Sequence, residues 1–167
     1  MTEHAEKIVV GVDGSQASVA ALRWAVGQAR ALGTPVVAVH AWEPVTAGFA
    51  PYAPASARPT VAEQRERAAE VLASSVHAAF GPRGGPELRA VVVEGPPARV
   101  LLRYARGALL LALGRRAHGQ WELPAVGAVG RECLRHATVP VVTVPTPERE
   151  ARLRAVGVAP DIQTGAA

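Results

Sequence analysis

The sequence holds one cysteine, Cys133, and one lysine, Lys7, among 167 residues. A single cysteine excludes an intrachain disulfide, so the fold must stand on packing alone. One lysine, with no basic run and no aromatic residues interleaved among the arginines, argues against a nucleic-acid partner. Aromatic residues are 4% of the chain while hydrophobic residues as a whole are 49%. The core must therefore be built from Ala, Val and Leu, which suits helices packed on a sheet better than an aromatic-rich sandwich. Long apolar runs are missing too. Arg103 and Arg106 cut the longest central one, leaving far fewer than the roughly 20 residues a spanning helix needs. No charged segment followed by an apolar one precedes the first strand-like run. With the lone cysteine, this leads to the expectation of a cytoplasmic protein.

What charge there is lies unevenly. The formal net charge is +4. Residues 1–83 carry seven basic and seven acidic groups and residues 84–167 eleven and seven, so the whole excess sits in the second half. Within it, from Arg99 to Arg135, seven arginines face only Glu122 and Glu132. The stretch around which the chain is organised is here: Gly114–Gly127, GRRAHGQWELPAVG, bounded by glycines with a third at Gly119. A loop from a buried strand to a helix N-terminus is where backbone N–H groups converge on a phosphate. An anion site and a glycine-bearing turn with solvated arginines both fit this stretch, and the stretch alone does not choose between them.

In order, the apolar run in Lys7–Asp13 ends at the turn Asp13-Gly14-Ser15, where Ser15 is placed to cap a helix. Leu22, Ala25, Val26, Ala29 and Leu32 share one helical face and Gly33 closes the pattern as a C′ residue. Val36–Ala41 has no polar alternation except His40 and reads as a strand buried on both faces. Pro44–Pro59 fits no period and reads as a loop, either a solvated insertion or a lid or partner contact. Thr60 begins a helix whose apolar side holds Ala68, Val71, Leu72, Val76 and Ala79, and Gly81-Pro82 stops it. A third strand at Leu88–Val93 is followed by a helix opened by Pro96-Pro97 and carrying Val100, Leu101 and Tyr104. Next come a fourth strand at Ala108–Leu113, the glycine loop, a helix over Val126, Val129, Cys133 and Ala137, and a fifth strand at Val141–Val144. Five strands alternating with four helices demand a mostly parallel sheet covered on both faces. The tail from Thr146, arginine-rich and then Gly/Ala-rich, reads as a frayed helix at best.

Ile8–Ser15 (IVVGVDGS), Val36–Trp42 (VVAVHAW) and Gly127–Val144 (GAVGRECLRHATVPVVTV) together resemble the universal stress protein (UspA) domain, over about residues 5–145. The resemblance implies an α/β fold: a single-domain, open five-stranded parallel sheet with helices on both faces, Rossmann-like and of the adenine nucleotide alpha hydrolase-like type. Its strand order would be 3-2-1-4-5, and residues 146–167, beyond the resemblance, are expected from their composition to form a flexible tail. It also implies a homodimer paired through the last strand, Val141, Val142, Thr143 and Val144, and a site for ATP in some members. By the same resemblance the cofactor-binding positions would be Val12, Asp13, Gly14, Ser15, Val39, Leu113, Gly114, Ala117, Gly119, Gly127, Ala128 and Val129.

The ATP-binding members resemble one another in a pattern of Gly, two residues, Gly, nine residues, then Gly followed by Ser or Thr. Gly114 and Gly127 keep the first and third glycines, but Ala117 falls on the second and Ala128 on the hydroxyl position, while Gly130 stands where many members carry another serine. If position 117 needs a left-handed backbone, alanine costs roughly 1–2 kcal/mol. A lost hydroxyl bond to a charged group costs roughly 1.5–3 kcal/mol. Together these weaken binding on the order of a hundredfold or more. The expected function is thus that of a stress-response regulatory protein with a degenerate nucleotide loop and no catalytic residues. The alternative is a competent ATP binder with slow hydrolysis. A synthetase-like adenylating enzyme is disfavoured, since no serine/glycine-rich loop follows the first strand.

Other chemistry fits less well. Gln120 and Trp121 stand where a P-loop needs Lys and Ser/Thr, and no G-x-G-x-x-G follows the first strand. Asp13 either meets the adenosine part of a ligand, as the resemblance implies, or bonds its own turn. Cys133 and His136 lie three apart without a third group to orient the histidine. His118 lies in the loop, and the five histidines show no ligand spacing, so no metal site is expected.

Overall fold

The computed structural model describes residues 6–45, 58–82, 88–115 and 126–146. Five strands, β1 (Ile8–Gly11), β2 (Val36–Trp42), β3 (Leu88–Glu94), β4 (Leu110–Arg115) and β5 (Val141–Pro145), form one parallel sheet in the order β3-β2-β1-β4-β5. Between them run α1 (Gln16–Leu32), α2 (Val61–Phe80), α3 (Pro97–Ala105) and α4 (Ala128–His136).

The alternation of side chains along each strand divides the core into two layers. Ile8 and Val10 of β1 pack with α1 and with Leu72 of α2 on one face; Val9 packs with Val100 and Leu101 of α3 and with Cys133 of α4 on the other. The central strand β1 is buried throughout, which is why its sequence reads as an unbroken apolar run.

The helix signals act locally as their chemistry requires. The Ser15 hydroxyl accepts from Ser18 N at 3.2 Å, and Gly33 at φ 64° takes the left-handed turn that ends α1. At α2, Glu63 N donates to Thr60 Oγ1 at 3.2 Å and Thr60 N donates to the Glu63 carboxylate at 2.6 Å, a reciprocal cap. The bond from Thr60 N, and after it the one the Thr60 hydroxyl donates to the same carboxylate at 3.1 Å, hold the Glu63 carboxyl below its usual pKa. Arg23 of α1 reaches the other end of α2, donating to the carbonyls of Ala79 at 3.1 Å and Ala78 at 2.5 Å.

Three boundaries around the glycine stretch differ from the sequence reading. The fourth strand starts at Leu110, not Ala108, because Gly107 at φ 70° leaves α3 and Ala108 N still bonds the Ala105 carbonyl at 3.0 Å. At its other end β4 continues through Gly114 and Arg115, which pair with Val144 and Pro145. Gly114 therefore lies in the sheet and does not open the loop. A Cβ there would sit 2.3 Å from the Ala17 carbonyl carbon and 2.5 Å from Ser18 N. The glycine admits the first turn of α1 against β4. Val126 likewise precedes the last helix, whose N-cap is Gly127.

Candidate functional site

A cavity of about 530 Å³ opens at the carboxyl ends of β1 and β4, the point where the strand order reverses. Val39 and Ala41 of β2 and Leu113 of β4 form apolar walls, with Pro97 and Leu101 of α3 beside them. Gly11 ends β1 without a side chain, and a Cβ there would meet Leu113 Cδ2 at 2.7 Å and Leu101 Cδ1 at 3.1 Å. The remaining wall is the turn after β1, with Asp13 and Ser15, and the start of α4 from Gly127 to Arg131.

The polar groups are ordered by short local bonds. Asp13 Oδ1 accepts from Ser15 N at 3.0 Å and from the Ser15 hydroxyl at 2.5 Å, so the carboxylate holds its own turn. That turn passes through Gly14 at φ 84°, where a Cβ would also lie 3.0 Å from Val71 Cγ1. His40 Nδ1 lies 2.7 Å from the Val12 carbonyl oxygen; a carbonyl only accepts, so Nδ1 carries the proton. Val12 N in turn donates to the Val39 carbonyl at 2.9 Å. The end of β1 is thus tied to β2 by two bonds just beyond the regular ladder. No side chain caps α4 at Gly127, and the first N–H groups of such a helix have no intrahelical acceptor. Arg131 spends Nη1 on the Val126 carbonyl at 3.2 Å and holds its guanidinium at the cavity wall.

Of the residues singled out from the sequence, Val12, Asp13, Ser15, Val39, Leu113, Gly114, Gly127, Ala128 and Val129 line this one cavity. Gly14 shapes the turn but is not in the wall, and Ala117 and Gly119 lie outside the described residues, as do His118 and Trp121. Gly130, read from the sequence as replacing a serine, is in the wall too, and Gly11, Ser18, Ala41, Pro97, Leu101, Val126 and Arg131 complete it without being among the site positions the sequence singles out. Strand parity could have found Gly11 and Ala41, each two residues from a core residue on the same face, Val9 and Val39. Arg131 carries no such signal, since its place depends on the N-cap falling at Gly127.

Cys133 is fully buried, and that burial, with the Glu132 charge adding to it, pushes its thiol up to about 11. It packs in the second core layer as a small hydrophobe. His136 Nε2 lies 3.3 Å from Glu132 Oε1. The described residues contain no group of three metal-ligating side chains and no helix long and apolar enough to cross a membrane.

The fold has counterparts among known proteins, and the universal stress protein family pattern matches residues 4–145. The chain belongs to the universal stress protein family. It is 30% identical over 139 residues to Universal stress protein Rv2623 of Mycobacterium tuberculosis (strain ATCC 25618 / H37Rv), a match covering 82% of this chain and 46% of that protein. The chain thus spans about half the length of the curated relatives it matches. Among solved structures, the universal stress protein from Archaeoglobus fulgidus in complex with dAMP is 24% identical with a TM-score of 0.60, covering 83% of this chain and 97% of that one. A universal stress protein in complex with cAMP is 21% identical with a TM-score of 0.60, covering 85% and 98%. These likenesses agree with the five-stranded parallel fold of this chain.

Proposed function

We propose that this universal stress protein is a cytoplasmic regulatory module, and not a catalyst, whose cavity takes the nucleoside part of an adenine nucleotide and gains little from a triphosphate. The observation that carries this reading is the single cavity bringing Asp13, Val39, Leu113 and the uncapped start of α4 together at the switch point. Its volume suits a nucleotide-sized ligand. Related proteins solved with dAMP and cAMP support an adenine nucleotide as the class. The phosphate side is where this chain is poor, with Ala128 and Gly130 in the wall in place of hydroxyl residues. Calorimetric titration with adenosine, AMP and ATP tests the reading. AMP and ATP should bind within about tenfold of one another and weakly. Saturation by ATP at low micromolar concentration, far tighter than AMP, would overturn it.

One observation favours the ATP-competent alternative: Arg131 places a cation at the same wall. In that reading a guanidinium stands in for the missing hydroxyls, and the same titration decides. We further propose a homodimer through β5. It is an edge strand whose outer N–H and C=O groups have no neighbour in the sheet of the described residues, and an apolar edge of that kind is an association hazard unless it is covered or paired.

A further inference from the structure

Three of the arginines that crowd the second half of the sequence lie together, away from the cavity. Arg99, Arg103 and Arg106 fall at i, i+4 and i+7 along α3 and its C-terminal cap, and all three are exposed. Their backbone positions are separated by roughly 6 Å and 4.5 Å along the helix axis. They line a depression of about 460 Å³ together with Glu94, Gly95, Pro96, Val100 and Leu102.

Glu94 is the acidic residue in this lining, and among the described residues no ion pair joins it to the arginines. None of the three guanidinium groups makes an ion pair or hydrogen bond there, and Arg103 rests over the Tyr104 ring at 5.9 Å. Like charges three and four residues apart on a helix repel one another. Arg99 is moreover in the first turn of a helix with no acidic residue there and no side-chain cap, where a cation opposes the helix dipole. An anionic partner reverses the sign of all these effects. The Arg103 guanidinium is held over its ring, so less side-chain freedom is lost on pairing.

We propose that this groove binds an acidic segment of a partner protein, through carboxylates set against Arg99, Arg103 and Arg106 with apolar side chains on Pro96 and Leu102. The inference is independent of the nucleotide reading. Acidic peptide is favoured over nucleic acid or polyphosphate because the groove offers apolar surface and no open aromatic face, Tyr104 being under Arg103. In an extended peptide, alternate side chains share one face about 6.7 Å apart, close to the Arg99–Arg103 rise of roughly 6 Å and within reach of the long Arg106 side chain for the next carboxylate.

The test is fluorescence anisotropy of the full chain with a labelled acetyl-Glu-Leu-Glu-Leu-Glu-amide at low ionic strength, with its Gln counterpart, tripolyphosphate and an oligothymidylate as comparators. The acidic peptide should bind at least tenfold tighter than the Gln peptide. The triple variant R99Q/R103Q/R106Q should lose at least tenfold, the three Lys substitutions should restore part of the loss, and adenosine titration should be unaffected. Should the triple variant prove unfolded by circular dichroism, R103Q alone is expected to lose several-fold. Peptide binding unchanged in the Gln variants, no binding by the parent chain, or tighter binding of tripolyphosphate or oligothymidylate than of the peptide would each overturn the proposal.

Discussion

Substituting Gly114 by alanine is the sharpest probe of how the cavity wall is built. The added Cβ would lie 2.3 Å, 2.4 Å and 2.5 Å from Ala17 C, Ala17 O and Ser18 N. All three are backbone atoms of the first turn of α1, so no side chain can rotate away. Overpacking of this kind typically costs about 1–3 kcal/mol, and the backbone contact puts this case near the upper end. Alanine regains roughly 0.5–1 kcal/mol from reduced freedom of the unfolded chain. The net loss is about 2 kcal/mol, which in a chain this size lowers the melting temperature by roughly 4–8 °C. Gly27 is the control of opposite sign. It lies exposed in the middle of α1, and a Cβ added there would meet nothing within 4 Å, so alanine removes a helix penalty of about 0.8–1 kcal/mol. Gly27→Ala should raise the melting temperature by a few degrees. Thermal unfolding followed by circular dichroism reads both. A Gly114→Ala protein melting within about 2 °C of the parent would refute the close-packing role given to this glycine.

Val142→Lys should leave the chain monomeric in sedimentation equilibrium at micromolar concentration while the parent is dimeric, because two-fold pairing of β5 would bring the lysines together; a monomeric parent or dimeric variant would place the interface elsewhere. Ala117→Gly with Ala128→Ser should tighten ATP binding by about tenfold or more through restored phosphate contacts; no change would mean this loop does not meet the phosphates. Cys133, with its thiol raised to about 11, should resist Ellman's reagent at about pH 8, below the ordinary thiol range, until the protein is unfolded. Because the folded chain holds that proton more tightly than the unfolded one, stability should fall as pH rises from about 9 toward 11. Rapid stoichiometric labelling of the native protein would contradict the burial.

Wherever a local rule has one dominant cause, the chain can be read before its structure. Ser15 and Thr60 act through side-chain bonds within a single turn and Gly33 and Gly81 through their own backbone geometry, while the apolar runs of β1 and the first four residues of β2 follow from burial on both faces. The universal stress protein resemblance supplies the strand order. Gly114 escapes such reading because a glycine after an apolar run has two physical meanings, a turn or a close approach, and only the neighbour across the fold, Ala17, distinguishes them. The cavity is legible where its residues follow the strand ends, as at Asp13 and Leu113. It is not legible where two helices contribute, since Leu101 and Arg131 reach it only through the packing of α3 and α4.

The helix that completes the cavity is also the one least fastened to the rest. Of α4, only Gly130 and Cys133 are buried, and Leu134 is 50% exposed, whereas α1 buries nine residues between the sheet and α2. Few buried contacts mean a low free energy of local opening. Amide protons of α4 should therefore exchange with solvent through fluctuations that leave the sheet intact, while those of α1 wait for global unfolding. The site can breathe on its α4 side without the fold coming apart, so occupancy of the cavity would register first as slowed exchange along one short helix.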